Sequence, residues 1–195
     1  MDTAVTFHDR VGHERLAAAV APVDSARLHK LLESAVTLTA RAALGDLDVE
    51  VELTLAGDAE MTRLNFDHMG ERGPTDVLAF PLHQWRIDAG HSHLADDEGI
   101  SPPGAMLLGD VVVDLDQAER QAREGGWGVA EEIILLAIHG TLHLLGHDHA
   151  EAEDELVMRR LESSVLTSLH RRHHDVPWQP GSLFDRAGHA VSAGS

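Results

Sequence analysis

The segment Val129–Leu145 constrains the fold more than any other part of this chain. It is apolar on every face of a helix, with Ile133, Ile134, Leu136, Ile138, Leu142 and Leu145 spread all round it. Such a helix has no side to offer to water and must be covered completely. No apolar run in the sequence approaches the roughly 20 residues of a membrane span. The cover must come from the rest of the chain, with this helix running through the middle of a core.

The flanking patterns supply that cover. Ser25 is placed to cap a helix running to about Ala43, with Leu28, Leu31, Leu32 and Ala35 as its apolar stripe. Asp48–Leu55 alternates polar and apolar residues, the pattern of a half-buried strand. A short helix starts at Asp58 and carries Met61, Leu64 and Asn65. Gly70–Pro74 reads as a loop and Thr75–Phe80 as a strand stopped by Pro81. Residues 83–104 read as a solvated loop, Met106–Leu115 as a buried strand, and Asp116–Glu124 as a helix ended by Gly125 and Gly126. Glu151–His170 is a last helix. Strands early and in the middle, with helices between and after, imply an α+β domain with a small mixed β-sheet packed against helices. The domain is expected to span residues 1–170, its first 23 residues forming an early strand or a loose lead-in. Residues 171–195 have the composition of a flexible tail.

Composition narrows the chemistry. The 195 residues include no cysteine, which rules out disulfides and any Cys-ligated zinc or iron–sulfur centre. Acidic residues number 33 against 15 basic, a formal net charge of −18, so the chain does not grip nucleic acid chiefly through a basic surface, and no DNA partner is expected. Arg15–Ala21 resembles the end of a signal peptide, but an acidic lead and Pro22 speak against it, and a cytoplasmic protein without a membrane partner is expected. Histidine is abundant, and four of the 15 fall between His139 and His149.

That cluster reads His139-Gly140-Thr141-Leu142-His143-Leu144-Leu145-Gly146-His147-Asp148-His149. His139 and His143 are four apart on the central helix, so their side chains lie one turn apart on one face and can reach one metal ion. Gly146 provides a helix stop from which the chain can turn and bring His149 to the same point. Three imidazoles leave a coordination position open, the arrangement of a catalytic zinc. Asp148 either orients an imidazole or is a plain acidic turn residue. The spacing also fits the metzincin frame H-E-x-x-H-x-x-G-x-x-H, except that Gly140 stands where a protease keeps its Glu general base. Asp110, inside an apolar strand, is expected to be a buried wall of the site. Glu132, seven residues before His139, either supports that imidazole or simply favours the helix dipole.

The same segment resembles the signature H-G-x-L-H-L-x-G-Y-D-H of the bacterial YbeY family. Pro74-Thr75-Asp76-Val77-Leu78-Ala79-Phe80-Pro81 resembles the family's P-T-D-V-L-S-F-P strand, and Leu108-Gly109-Asp110-Val111-Val112 its L-G-D-I-V strand. The resemblance spans roughly residues 25–165. It implies an α+β fold, one zinc ion (Zn2+) per chain held by His139, His143 and His149, and single-strand-selective RNA hydrolysis. It further implies maturation of the 3′ end of small-subunit rRNA and ribosome quality control, with rRNA, the small subunit and a ribosome-associated protein as partners. His147 replaces the family's usual Tyr and Ala79 its Ser. Many members carry a catalytic Arg in the loop before the P-T-D strand; Met69 holds that place here, with Arg72 three residues later as the candidate substitute. Two other functions remain compatible with the residues, a metal-binding ribosome assembly factor with little catalysis and a metalloprotease.

Overall fold

The structure, a computed structural model, describes residues 3–95, 104–148 and 151–173. In chain order its elements are β1 (Thr3–Asp9), α1 (His13–Val20), α2 (Ser25–Leu44), β2 (Val49–Ala56), α3 (Asp58–Met69), β3 (Val77–Pro81), β4 (Trp85–Asp88), β5 (His91–Leu94), β6 (Met106–Asp114), α4 (Leu115–Gly125), α5 (Val129–Leu144) and α6 (Ala152–Arg172). The main sheet has the order β1-β2-β6-β3, with β1 parallel to β2, β2 parallel to β6, and β3 antiparallel to β6. It is the small mixed sheet that the alternating patterns imply.

Helix α5 runs where its composition demands. It packs on β3 and β6 with one side and on α2, α4 and α6 with the others. Ile133, Ile134, Ile138 and Leu142 are buried in one cluster with Leu28, Leu31 and Leu32 of α2 and Val111 and Val113 of β6. Such burial is the main favourable term, roughly 1.5–3 kcal/mol for each large aliphatic side chain. The far side of the sheet carries a smaller cluster, Ala56, Met61, Leu78 and Val112, under α3.

Of the two alternatives for residues 1–23, the early strand is the one found: β1 pairs in register with β2, and α1 puts Leu16 and Val20 into the main core. One departure from the sequence patterns bears on the site. The segment expected as a loop after His83 holds a hairpin, β4 paired antiparallel with β5 from Trp85↔Leu94 to Asp88↔His91. Trp85 and Leu94 turn one side of that hairpin onto the core, and Ser92 is buried. The strand begun at Met106 stops at Asp114, whose carboxylate caps α4 by accepting from the Asp116 and Gln117 amides. No helix among the described residues is long and apolar enough to cross a membrane.

Candidate metal centre

The histidine pair sits in the last two turns of α5. His139 and His143 project from one face, and their Nε2 atoms converge to 3.0 Å. The rings are nearly perpendicular, at 79°. Two neutral imidazole lone pairs cannot face each other at that distance; a proton or a cation has to lie between them. Two nitrogens bound to one tetrahedral zinc at 2.0–2.1 Å stand about 3.3 Å apart, so the pair needs little adjustment to hold such an ion. His139 Nδ1 lies 2.7 Å from Glu162 Oε1 on α6, with both side chains mostly buried. The donor set therefore fits a divalent metal that favours nitrogen.

The surroundings of the pair explain its sequence. Gly140 faces the sheet, where a Cβ would lie 2.6 Å from Val111 Cγ1 and 2.9 Å from Val77 Cγ2. No side chain fits there, least of all the Glu of an H-E-x-x-H protease. Gly146 ends the helix at φ +85°, and a Cβ there would lie 2.6 Å from Trp85 Cβ. The turn after α5 is fastened by the hairpin: Ser92 Oγ donates to the Leu145 carbonyl at 2.7 Å and lies 3.3 Å from His147 Nε2. His147 is buried, and burial pushes its pKa below the usual histidine value. It does not join the pair. His149 lies outside the described residues, and Asp148, just before it, is exposed.

Other candidates find different places. Asp110 is exposed, not buried. Along β6, Val111 and Val113 face α5 while Val112 faces the α3 side. Alternation puts Asp110 on the face away from α5, opposite Glu52 and Phe80 in register, so it is no wall of the histidine site. Glu132 is buried in the first turn of α5 and accepts from the Trp127 indole at 2.6 Å, about 10 Å along the helix from His139. Met69 ends α3 and is 51% exposed. Arg72 is exposed in the loop that leads into Val77, the residue packed beside Gly140. That loop is held by Asn65 Nδ2, which donates to the Gly73 carbonyl at 3.0 Å, and by Asp76, which accepts from the Val77 amide and from Gln121 Nε2. Arg120 forks onto Asp58 with both terminal nitrogens.

A second cluster was invisible in the sequence because it joins two strand ends. Oxygens of Asp58, Asp114 and Asp116 lie within 4.8 Å of one another, a group able to hold a cation. Its charges are already partly matched, Asp58 by Arg120 and Asp116 by Arg15. Asp114 is fully buried, and burial followed by the nearby Asp58 carboxylate pushes its pKa up to about 7. The Arg120 guanidinium holds Asp58 below the ordinary carboxylate value. Glu162 was also missed, although it interrupts the apolar stripe Met158, Leu161, Val165, Leu166 and Leu169 on the inward face of α6.

The comparisons cover most of the chain. The family model described as Endoribonuclease YbeY matches residues 17–170, from α1 nearly to the end of α6. A protein of Desulfitobacterium hafniense named Endoribonuclease YbeY is 37% identical over 139 residues, covering 71% of this chain and 83% of that protein. One of the same name from Salinispora tropica is 42% identical over 138 residues, 69% of this chain and 85% of the relative. Another, from a Parafrankia species, is 36% identical and covers 86% of this chain and 89% of its own length. The solution structure of TM1509 from Thermotoga maritima aligns over 90% of this chain and 97% of that one, at 24% identity and a TM-score of 0.45. With the family model matching residues 17–170 and the three named relatives 36–42% identical over most of their own length, the chain belongs to the Endoribonuclease YbeY family.

Proposed function

We propose that this chain is a zinc-dependent endoribonuclease that hydrolyses phosphodiester bonds of single-stranded RNA. Its proposed place is in the cytoplasm, in maturation of the small-subunit rRNA 3′ end and in ribosome quality control. The observation that carries the reading is the convergence of His139 and His143 at 3.0 Å in a chain of this family. His139, His143 and His149 would hold the metal. When bound, a divalent ion supplies Lewis-acid polarisation of a phosphoryl oxygen and of water. Arg72 is the proposed group that steadies negative charge developing on the phosphate. Asp148 adjoins His149 and is the proposed carboxylate for that imidazole. Gly140 leaves no carboxylate beside His139 in sequence, which separates this chemistry from that of the H-E-x-x-H proteases.

The test has two parts. Purified protein should hold about one zinc per chain, and the double variant His139→Ala/His143→Ala should hold none. Precursor small-subunit rRNA and an unstructured protein should then be incubated with the zinc form, the metal-stripped form and His143→Ala. RNA cut by the zinc form alone supports the proposal, whereas equal cutting by all three sinks it and cleavage of the protein selects a protease. A second function, a metal-binding ribosome assembly factor with little catalysis, is favoured by one observation. The residue at the family's Arg position is Met69, apolar and exposed. RNA left intact by a fully zinc-loaded protein would select it.

A further inference from the structure

We infer that Glu162 is a positioning residue for the histidine pair, fixing the tautomer in which His139 presents an unprotonated Nε2 to a divalent cation. The inference rests on His139 and His143 being cation ligands, and it concerns a residue on another helix. Glu162 Oε1 and His139 Nδ1 are 2.7 Å apart, with the side chains 13% and 15% exposed. An ionised carboxylate can only accept, so His139 Nδ1 must carry the proton in this contact. A neutral imidazole with its proton on Nδ1 has its lone pair on Nε2, the atom that faces His143. A divalent cation brought to this point meets a lone pair on His139 that the Glu162 contact has already set.

The position of Glu162 in α6 argues that this contact is more than incidental. It lies four residues after Met158 and three before Val165, both buried, on the row that faces the core. A carboxylate turned inward is costly to desolvate unless a partner meets it, and an apolar residue of similar size would pack there at less cost. Docking of α6 on α5 thus brings a charge to the one imidazole whose tautomer matters. Carboxylates behind ligating histidines change metal affinity by about 10–100-fold.

The experiment compares the full chain with Glu162→Ala and Glu162→Gln. Long-range nitrogen–proton NMR of the metal-free proteins at alkaline pH reads each imidazole tautomer, and competition against a chelator reads zinc affinity. Wild type should show His139 as the Nδ1–H tautomer before and after zinc. Glu162→Ala should show His139 as a tautomer mixture and bind zinc about 10–100-fold more weakly. Glu162→Gln keeps the shape and an acceptor oxygen and should fall between the two. A native tautomer with affinity within twofold of wild type in folded Glu162→Ala overturns the inference. If Glu162→Ala does not fold, the same two results in Glu162→Gln overturn it. A tautomer locked by Glu162 in a protein that cuts no RNA would refute the nuclease proposal and leave this inference standing.

Discussion

Replacing Gly140 by Ala tests how tightly the histidine-bearing helix is pressed onto the sheet. The added methyl would meet Val111 Cγ1 at 2.6 Å and Val77 Cγ2 at 2.9 Å, with Val111 Cγ2 at 3.4 Å. Both neighbours are β-branched, with χ1 restricted, and Val111 is fully buried in the middle of β6. Relief therefore requires backbone movement between α5 and the sheet, and overpacking of this kind costs about 1–3 kcal/mol. Against it stands the helix preference for Ala over Gly, about 1 kcal/mol. Two contacts this short put the overpacking term near the upper end of its range, leaving a net destabilisation of about 1–2 kcal/mol. Equilibrium urea unfolding followed by far-ultraviolet circular dichroism reads it as a lower midpoint at unchanged slope. The melting temperature should fall by about 2–8 °C. A cycle with Val111→Ala should recover about 1 kcal/mol, because the smaller residue on β6 makes room for the added methyl. A Gly140→Ala protein as stable as wild type would mean that the sheet yields freely, and close packing could not then be the reason for glycine beside His139.

The remaining predictions address the polar groups. The Asp114→Asn side chain mimics the protonated acid and keeps the Oδ1 acceptor for the α4 cap, so its effect isolates one ionisation. The folded-state pKa of Asp114 is raised to about 7 from an unfolded value of 3.8, so the stabilisation from its bound proton is complete below 3.8 and is lost as pH rises through 7. Asp114→Asn should accordingly be near neutral at about pH 4 and stabilising at about pH 8, by at most about 4 kcal/mol; a pH-independent difference between the two unfolding curves would contradict this. Ser92→Ala removes the bond from the hairpin to the Leu145 carbonyl and should destabilise by about 1–2 kcal/mol in urea, with weaker zinc binding because the end of α5 that carries His143 loosens. Arg10, Arg15, Arg41, Arg120 and Arg159 are each bound to a carboxylate. Free RNA should bind weakly, with a log–log salt slope of magnitude below about 3, and a slope of about 6 or more in a filter-binding titration would show a phosphate-gripping surface after all.

Elements whose stability is written locally were legible, and those that depend on a distant partner were not. Helices α2, α5 and α6 announce themselves by apolar spacing, and β2 and β6 by alternation or a continuous apolar run. By contrast β1 is an edge strand whose hydrogen bonds come from β2, some 46 residues further on at Thr3↔Val49. The β4 and β5 strands have four residues each, and a hairpin of that size is marginal alone. What holds it is tertiary: Trp85 packed over Gly146 and Ser92 bonded to the end of α5. Asp110 failed for a related reason. Apolar neighbours on both sides suggested burial, but only one face of β6 is fully covered along its length, and alternation sends Asp110 to the other.

The site divides along the same line. Spacing of four on a helix brings His139 and His143 together whatever the rest of the chain does, so that part follows from local geometry. Which nitrogen His139 offers does not follow from spacing, because it is set by a proton acceptor on α6, 23 residues away in sequence. The trace such a residue leaves in a sequence is an energetic anomaly rather than a motif. Glu162 is a charge on a helical row otherwise occupied by Met158, Val165 and Leu169. Asp114 is the same kind of anomaly at the end of the Val111-Val112-Val113 run, and it is also fully buried. Its partners, however, are Asp58 and the amides of α4, which makes it a capping and ionisation centre rather than support for the histidines. An inward charge in an apolar row therefore marks a position where a partner must exist, and only the packing of α6 against α5 identifies that partner as His139.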